Sequence, residues 1–355
     1  MAPTILIAAG GTAGHVVPAL AVADALRAEA GAHVVFVGGE RAEKTLVPEA
    51  GYELRPIAVE GLSRSNPLKA ARGALKAAAA MRTAQNIIRD VAPDAVMGGG
   101  GYVAGPVGAA AAVGRIPLVL TEADSHLGIT NRLLARWARR VCLAFPLAGR
   151  GGAKYLVTGR PVPPPVTDRE AARARFGLGV TDTCVLVFGG SLGARSINEA
   201  AIDALRGAPF RVLHACGVRD YAALRGRLGD PPPANYDLRE YITPFGDALA
   251  AADVAVARAG GSIFEVAAHG LPVILVPYPH AAADHQTSNA RWMADAGAAV
   301  VVPDGELTSQ RLDAEVGALL GDPGRLAAMA QASRALARPD AARDIAREVL
   351  AAARG

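Results

Sequence analysis

Short apolar runs alternate with longer helical stretches along most of the chain. Glycine, proline or polar residues close each run. The run at residues 4–9 (TILIAA) leads into Gly10-Gly11-Thr12-Ala13-Gly14-His15 and then a helix predicted over residues 18–30. Runs at 33–37, 95–97, 118–120 and 140–144 predict further strands in the first half. Runs at 185–188, 211–215, 254–257 and 273–276 do so in the second. Strands this short and this apolar are those of a parallel sheet buried on both faces. Their alternation with helices predicts an α/β architecture. The Ala- and Arg-rich tail from Ser309 onward reads as terminal helices.

The opening pattern recurs. The strand at 185–188 runs into Gly189-Gly190-Ser191-Leu192-Gly193-Ala194 and a helix near residues 197–205, offset by 179 residues from the first. At that offset Gly10, Gly11, Thr12 and Gly14 align with Gly189, Gly190, Ser191 and Gly193. Asp24, Ala25, Leu26 and Arg27 align with Asp203, Ala204, Leu205 and Arg206. One register carries both the glycine loop and the far end of the helix, so two related α/β domains are expected. The expected boundary is the proline-rich segment VTGRPVPPPV at 157–166, which no helix can cross. The domains are taken as 1–160 and 161–355, with the last helix returning to the first domain.

Composition narrows the class. A chain of 355 residues with 51% hydrophobic and 20% charged residues builds a real core and is not disordered. The net charge of +4 is too small for a general nucleic-acid binder, and 5% aromatic residues supply no stacking platform. Cys142, Cys184 and Cys216 form no CxxC pair, which fits a reducing compartment and argues against zinc. Residues 1–26 lack the basic start of a secretory signal. The longest charge-free apolar stretch, 98–114, is too short and too rich in Gly and Ala for a membrane span.

Candidate chemistry gathers at the glycine loops. A glycine turn before a helix brings backbone N–H groups close to an anion and adds the positive helix end. Tight strand–helix packing also explains such a turn, but its duplication favours a pair of loops bracketing a diphosphate. His15, at a helix start, favours neutral imidazole, the form a general base needs; it is read either as that base or as a packing residue. Four glycines at 98–101 precede Tyr102, which either donates a hydrogen bond or covers the loop. In ARAGGSIFEVAAHG (257–270), Glu265 falls in the first helical turn, as an N-terminal cap or as an acceptor for ribose hydroxyls. Asp284, His285, Gln286 and Asn289 then cluster after a strand end, as a sugar site would require. Six cations between residues 61 and 89 (Arg64, Lys69, Arg72, Lys76, Arg82, Arg89) accompany apolar residues and no acid. They suit either an anionic membrane surface or a solvated helix.

Taken together, GGTAGH followed by VVPALAVA, GGGGYVAGP, GITNRLLA at 128–135, TG-x-PV at 158–162, GGSLGAR, RAGGSIFE and HQTSNA resemble the MurG family of N-acetylglucosaminyltransferases over nearly the whole chain. The resemblance implies a GT-B fold, two Rossmann-like domains facing across a cleft. It implies inverting transfer of GlcNAc from UDP-GlcNAc to the muramoyl 4-hydroxyl of lipid I, giving lipid II. The setting is the cytoplasmic face of the cell membrane, in cell-wall biogenesis, shape and division. No cofactor, metal or nucleic acid is implied. Ser191 would touch the diphosphate, Glu265 the ribose and residues near Phe245 the uracil. Gln286 and the turn of Gly261, Ser262, Ile263 and Phe264 would flank the sugar. Thr12, Ala13 and Gly14 would line the donor–acceptor junction, with His15 as base and Tyr102 nearby.

The chain also departs from the family pattern. Asp124 stands where a sugar-contacting Asn is usual. Pro163 stands at the usual phosphate-binding Arg, for which Arg160 would substitute. His285 replaces a Gln, and the turn before Glu265 is one residue short. Another UDP-sugar:lipid transferase, a UDP-GlcNAc epimerase of the same fold and a non-catalytic binding module are the alternative readings.

Overall fold

The computed structural model describes residues 2–59, 67–190 and 193–355, with the backbone alone from 67 to 77 and at 282. Ser191 and residues 60–66 therefore lie outside the described residues, as do the side chains of Lys69, Arg72 and Lys76. The chain divides into two compact units, Met1–Val162 with Arg338–Gly355, and Pro163–Ala337.

The first unit opens with β1 (Thr4–Ala8), α1 (Ala13–Ala30), β2 (His33–Gly38), α2 (Ala42–Glu49) and β3 (Glu53–Pro56). It continues with α3 (Pro67–Val91), β4 (Ala95–Gly98), α4 (Ala104–Val113), β5 (Leu118–Glu122), α5 (Ile129–Leu134), β6 (Arg140–Leu143) and β7 (Tyr155–Val157). Its strands form a parallel sheet in the order β3-β2-β1-β4-β5-β6-β7, with Ile5 opposite Val34 on one side and Ala95 on the other. Ile5, Leu6 and Ile7 are fully buried, because helices cover both faces of the sheet. Helix α1 begins five residues earlier than the sequence suggests and carries Pro18 inside it. The missing Pro18 N–H would have bonded the Gly14 carbonyl, which instead accepts from Arg160 Nη2.

The second unit contains α6 (Arg169–Arg175), β8 (Cys184–Phe188), α7 (Arg195–Leu205), β9 (Arg211–Ala215), α8 (Val218–Leu228), β10 (Tyr236–Arg239) and α9 (Phe245–Ala251). There follow β11 (Val254–Ala257), α10 (Ile263–His269), β12 (Val273–Leu275), α11 (His285–Asp295), β13 (Ala299–Val301), α12 (Ser309–Leu320) and α13 (Pro323–Leu336). The strand order is β10-β9-β8-β11-β12-β13, again parallel. The last helix, α14 (Ala341–Ala353), belongs to the first unit. Its Ile345, Val349 and Leu350 join Leu26 and Phe36 in one core cluster, a burial contributing about 4–9 kcal/mol between the three. Glu348 accepts from Arg140 at 2.9 Å and fixes the helix to β6.

In both sheets the chain reverses its direction of winding beside the first strand, between β1 and β4 and between β8 and β11. Open α/β sheets bind ligands at the carboxyl ends of strands at such a switch. GGTAGH follows β1 and the glycine run ends β4. The GGSLGA loop follows β8, and Arg258-Ala259-Gly260-Gly261-Ser262 follows β11.

Candidate functional site

In the first unit, Thr12 is the extended residue before α1, which places His15 in the first helical turn. The His15 N–H donates to the Thr12 carbonyl at 3.0 Å, and Nδ1 lies 3.4 Å from Thr12 Oγ1. Burial lowers the His15 pKa below 6.5. Asp124 pulls it up, Arg160 pushes it down, and Glu43 pulls it up more weakly. Arg160 Nη2 donates to the Gly14 carbonyl at 2.6 Å, so the guanidinium braces the loop as well as repelling an imidazolium. Thr12, Ala13 and Gly14 are exposed beside this histidine.

The loop after β4 meets the loop after β1. Gly100 has φ +89°, and a Cβ there would stand 2.9 Å from His15 Cδ2. Gly101 has φ +76°, and a Cβ there would fall 2.1 Å from the Gly10 carbonyl oxygen. Only glycine permits both the left-handed backbone and the approach.

Sequence reasoning missed Glu43, the fully buried carboxylate that joins these loops. Its Oε2 accepts from the Gly11 N–H at 2.9 Å, and its Oε1 from the Gly39 N–H at 2.8 Å and the Tyr102 hydroxyl at 3.1 Å. Burial pushes its pKa up, but the N–H groups and the hydroxyl outweigh burial and leave it lowered. Two expectations are affected. The Gly11 N–H is committed to an internal carboxylate, so it does not await an external anion. Tyr102 directs its hydroxyl at Glu43, the first of the two readings given for it: it donates a hydrogen bond.

Glu122, at the end of β5, organises a loop in the same way. It accepts from Gly128 N–H at 2.8 Å, Asn131 Nδ2 at 2.9 Å and Asp124 N–H at 3.2 Å, while burial raises its pKa. Asn131 also donates to the Thr121 carbonyl at 2.9 Å. The GITN motif thus fixes the loop carrying Asp124. A solvent-open pocket brings together His15, Gly99, Thr121, Glu122, Ala123 and Arg160.

In the second unit, Gly193 (φ +74°) packs so tightly on the Cys216 carbonyl that a Cβ would lie 2.1 Å away. Phe245 opens α9 and sets its ring edge-on to Phe188, centroids 5.0 Å apart. Gly261 and Ser262 are partly accessible, and Glu265 stands in the first turn of α10 as expected. Ile263 and Phe264 are buried, at 0% and 4% exposure. Their side chains face the core and the Trp292 ring, 5.5 Å from Phe264, so only their backbone remains for a ligand.

Gln286 Oε1 accepts from the Tyr278 N–H at 2.9 Å, and Asn289 Nδ2 donates to the Ala259 carbonyl at 3.0 Å. Asn289 therefore ties α11 to the glycine turn after β11, and Gln286 ties it to the segment after β12. Arg258, also missed, is buried. It donates to the Val276 and Pro277 carbonyls, to Asp304 and to Ser196 Oγ at 2.9 Å. Nothing in a sequence distinguishes such a buried arginine from a surface one. Cys142, Cys184 and Cys216 are buried free thiols. No cluster of three or more metal-ligating side chains occurs among the described residues.

Two parallel-sheet Rossmann-like units, each with glycine loops at its switch point, make up the GT-B fold, and the family matches make the chain a glycosyltransferase. The glycosyltransferase family 28 N-terminal domain matches residues 5–143, and the family 28 C-terminal domain matches residues 184–345. The UDP-N-acetylglucosamine–N-acetylmuramyl-(pentapeptide) pyrophosphoryl-undecaprenol N-acetylglucosamine transferase of Moorella thermoacetica is 42% identical, over 98% of both chains. The crystal structure of Acinetobacter baumannii MurG superposes with a TM-score of 0.80 at 31% identity, covering 98% of this chain and 99% of that one. The chain belongs to the MurG family within glycosyltransferase family 28. A UDP-GlcNAc 2-epimerase from Neisseria meningitidis, 14% identical with a TM-score of 0.71, covering 98% of this chain and all of that one, shares the fold alone.

Proposed function

We propose that this enzyme transfers GlcNAc from UDP-GlcNAc to the muramoyl 4-hydroxyl of lipid I, forming lipid II with inversion at the anomeric carbon. The observation that carries the reading is full-length similarity to transferases of that name, joined to a largely buried, neutral-leaning His15 at the first switch point. In the tautomer that carries its proton on Nδ1, which faces Thr12 Oγ1 at 3.4 Å, the lone pair on Nε2 takes the hydroxyl proton. The alkoxide oxygen bonds to the anomeric carbon as the bond from that carbon to the β-phosphate oxygen breaks. UDP leaves with the electron pair. Backbone N–H groups of the glycine loop after β8, with Ser191 at its centre, receive the developing charge. Glu265 accepts from the ribose, the backbone near Phe245 meets the uracil, and Gln286 with the Gly261–Ser262 turn meets the sugar. Arg160 and Asp124 act on His15 by charge, from opposite directions.

The acceptor is a lipid, and the first unit carries a surface suited to a membrane. Ile129, Leu133 and Trp137 are exposed at four-residue intervals on α5 and the turn beyond it. Arg132, Arg136 and Arg139 are exposed among them, with Arg136 stacked 3.8 Å over the Trp137 ring. An apolar stripe edged by cations suits peripheral attachment to anionic lipid on the cytoplasmic face. Among the described residues no helix is long and apolar enough to cross a membrane.

The test is incubation with labelled UDP-GlcNAc, with and without lipid I. Label should appear in a disaccharide-lipid only when lipid I is present. Conversion to UDP-ManNAc, or nucleotide binding with no product, would refute the assignment. His15→Ala should abolish most turnover and leave UDP affinity intact.

A further inference from the structure

The second unit holds a buried polar chain that the transfer chemistry leaves unused. His214, on β9, is fully buried. Its Nδ1 lies 2.8 Å from Tyr236 Oη, and its Nε2 lies 3.1 Å from Asn198 Oδ1. Asn198 Nδ2 donates to the Cys216 carbonyl at 2.9 Å and to Asp220 Oδ2 at 3.0 Å. With the Asn198 amide hydrogens committed, its oxygen must accept. Nε2 of His214 therefore carries the proton, and Nδ1 accepts from the Tyr236 hydroxyl. Burial keeps the ring neutral, its pKa pushed down to about 3.

The chain ends on Asp220, near the start of α8 and only 6% exposed. Its Oδ1 accepts from Arg195 Nη2 at 3.3 Å and from Arg219 Nε at 3.2 Å; its Oδ2 accepts from Arg219 Nη2 at 3.2 Å. Those arginine bonds, Arg219 foremost, hold the carboxyl below its usual pKa. The arginine side chains are 65% and 54% exposed, and two cations on one carboxylate leave a charge of +1. Each guanidinium turns its Nε–Nη2 edge to Asp220, which leaves Nη1 clear of that carboxylate.

Location gives the pair a use. Arg195 is the first residue of α7, directly after the GGSLGA loop, and Arg219 is the second residue of α8. The Gly193–Cys216 packing joins the loops that carry them. Both stand at the carboxyl ends of neighbouring strands, where open α/β sheets take ligands. An exposed ion pair by itself contributes little to stability. A buried histidine, asparagine and carboxylate behind two exposed guanidinium groups instead fix the direction in which those groups point.

We infer that Arg195 and Arg219, clamped on Asp220, form a receiving pair for a substrate pyrophosphate. Paired guanidinium groups match that chemistry, because each supplies planar, charge-assisted donors to phosphate oxygens. The inference rests on the proposed transferase reading, in which two substrates carry such a group: the nucleotide donor and the lipid acceptor.

Titration of the full-length chain with UDP and with uridine tests it, using wild type, Arg195→Ala, Arg219→Ala and the double variant. The double variant should bind UDP about tenfold or more weaker, with uridine affinity unchanged and the deficit shrinking as salt rises. Intact uridine binding also certifies the fold. If UDP affinity holds while the KM for lipid I rises by a similar factor, the pair takes the acceptor's pyrophosphate. Equal losses for UDP and uridine, or no change in UDP affinity and lipid I KM alike, overturn the inference. Failure of the wild type to bind UDP would instead sink the transferase reading beneath it.

Discussion

Glu43→Gln isolates the carboxylate that joins three loops, at almost constant volume. Two N–H groups and a hydroxyl converge on the two Glu43 oxygens. Glutamine keeps one oxygen. If that oxygen faces Gly39 and Tyr102, the new NH2 group faces the Gly11 N–H, donor against donor. The stranded N–H costs about 1–3 kcal/mol, and loss of charge weakens the surviving bonds by about 1 kcal/mol together. Destabilisation of about 2–4 kcal/mol is expected, concentrated in the first unit.

Two units need not unfold together, so a single global transition is a poor gauge. Amide hydrogen exchange is better suited, because it reports local opening. Protection should fall at residues 10–15 and 38–43 and stay unchanged in residues 184–345. Turnover should drop with the loosened His15 loop, while UDP affinity is kept. The acid dependence has a definite sign. The folded pKa of Glu43 lies below its ordinary 4.5, so its contribution is complete above that value and is lost as pH falls through the folded pKa. The difference between wild type and variant should be level near neutrality and shrink below about pH 4.5. A Glu43→Gln protein with wild-type exchange and turnover would refute the claim that this carboxylate holds the loops.

Further outcomes follow from the same geometry. The acid limb of kcat/KM should lie below pH 6.5, because burial favours neutral His15; Arg160→Ala should move it up and Asp124→Asn should move it down, as pH–rate profiles will record. Gly101→Ala would drive a Cβ onto the Gly10 carbonyl at φ +76° and should cost several kcal/mol, on the order of 3, whereas Gly151→Ala, with open space around it, should leave the melting temperature unchanged. Leu133→Glu combined with Trp137→Glu should reduce co-sedimentation with anionic vesicles by about tenfold or more and spare UDP binding.

Which strands were legible follows from where they lie. The interior strands of both sheets announce themselves as apolar runs, since helices cover both their faces. The four that escaped, β3, β7, β10 and β13, are the four sheet edges. ELRP and YDLR carry charges that an edge can point toward water, and YLV and AVV are only three residues long. The glycine loops were legible too, because a left-handed backbone leaves a mark in the residue type.

The chemistry of each loop was not legible, because partners from elsewhere in the chain decide it. Gly11 and Gly190 occupy equivalent places in the duplicated motif, and their letters predict the same anion-ready turn. Glu43, 32 residues from Gly11 on another helix, has claimed that N–H, and the Tyr102 ring would stand 3.6 Å from a Cβ at Gly11. No described atom lies within 4 Å of where a Cβ on Gly190 would stand. In the first copy the Gly11 N–H is taken up by an internal carboxylate, whereas no described side chain packs on Gly190 in the second. The motif recurs in both units, and a single buried carboxylate on a neighbouring helix gives its first copy different surroundings.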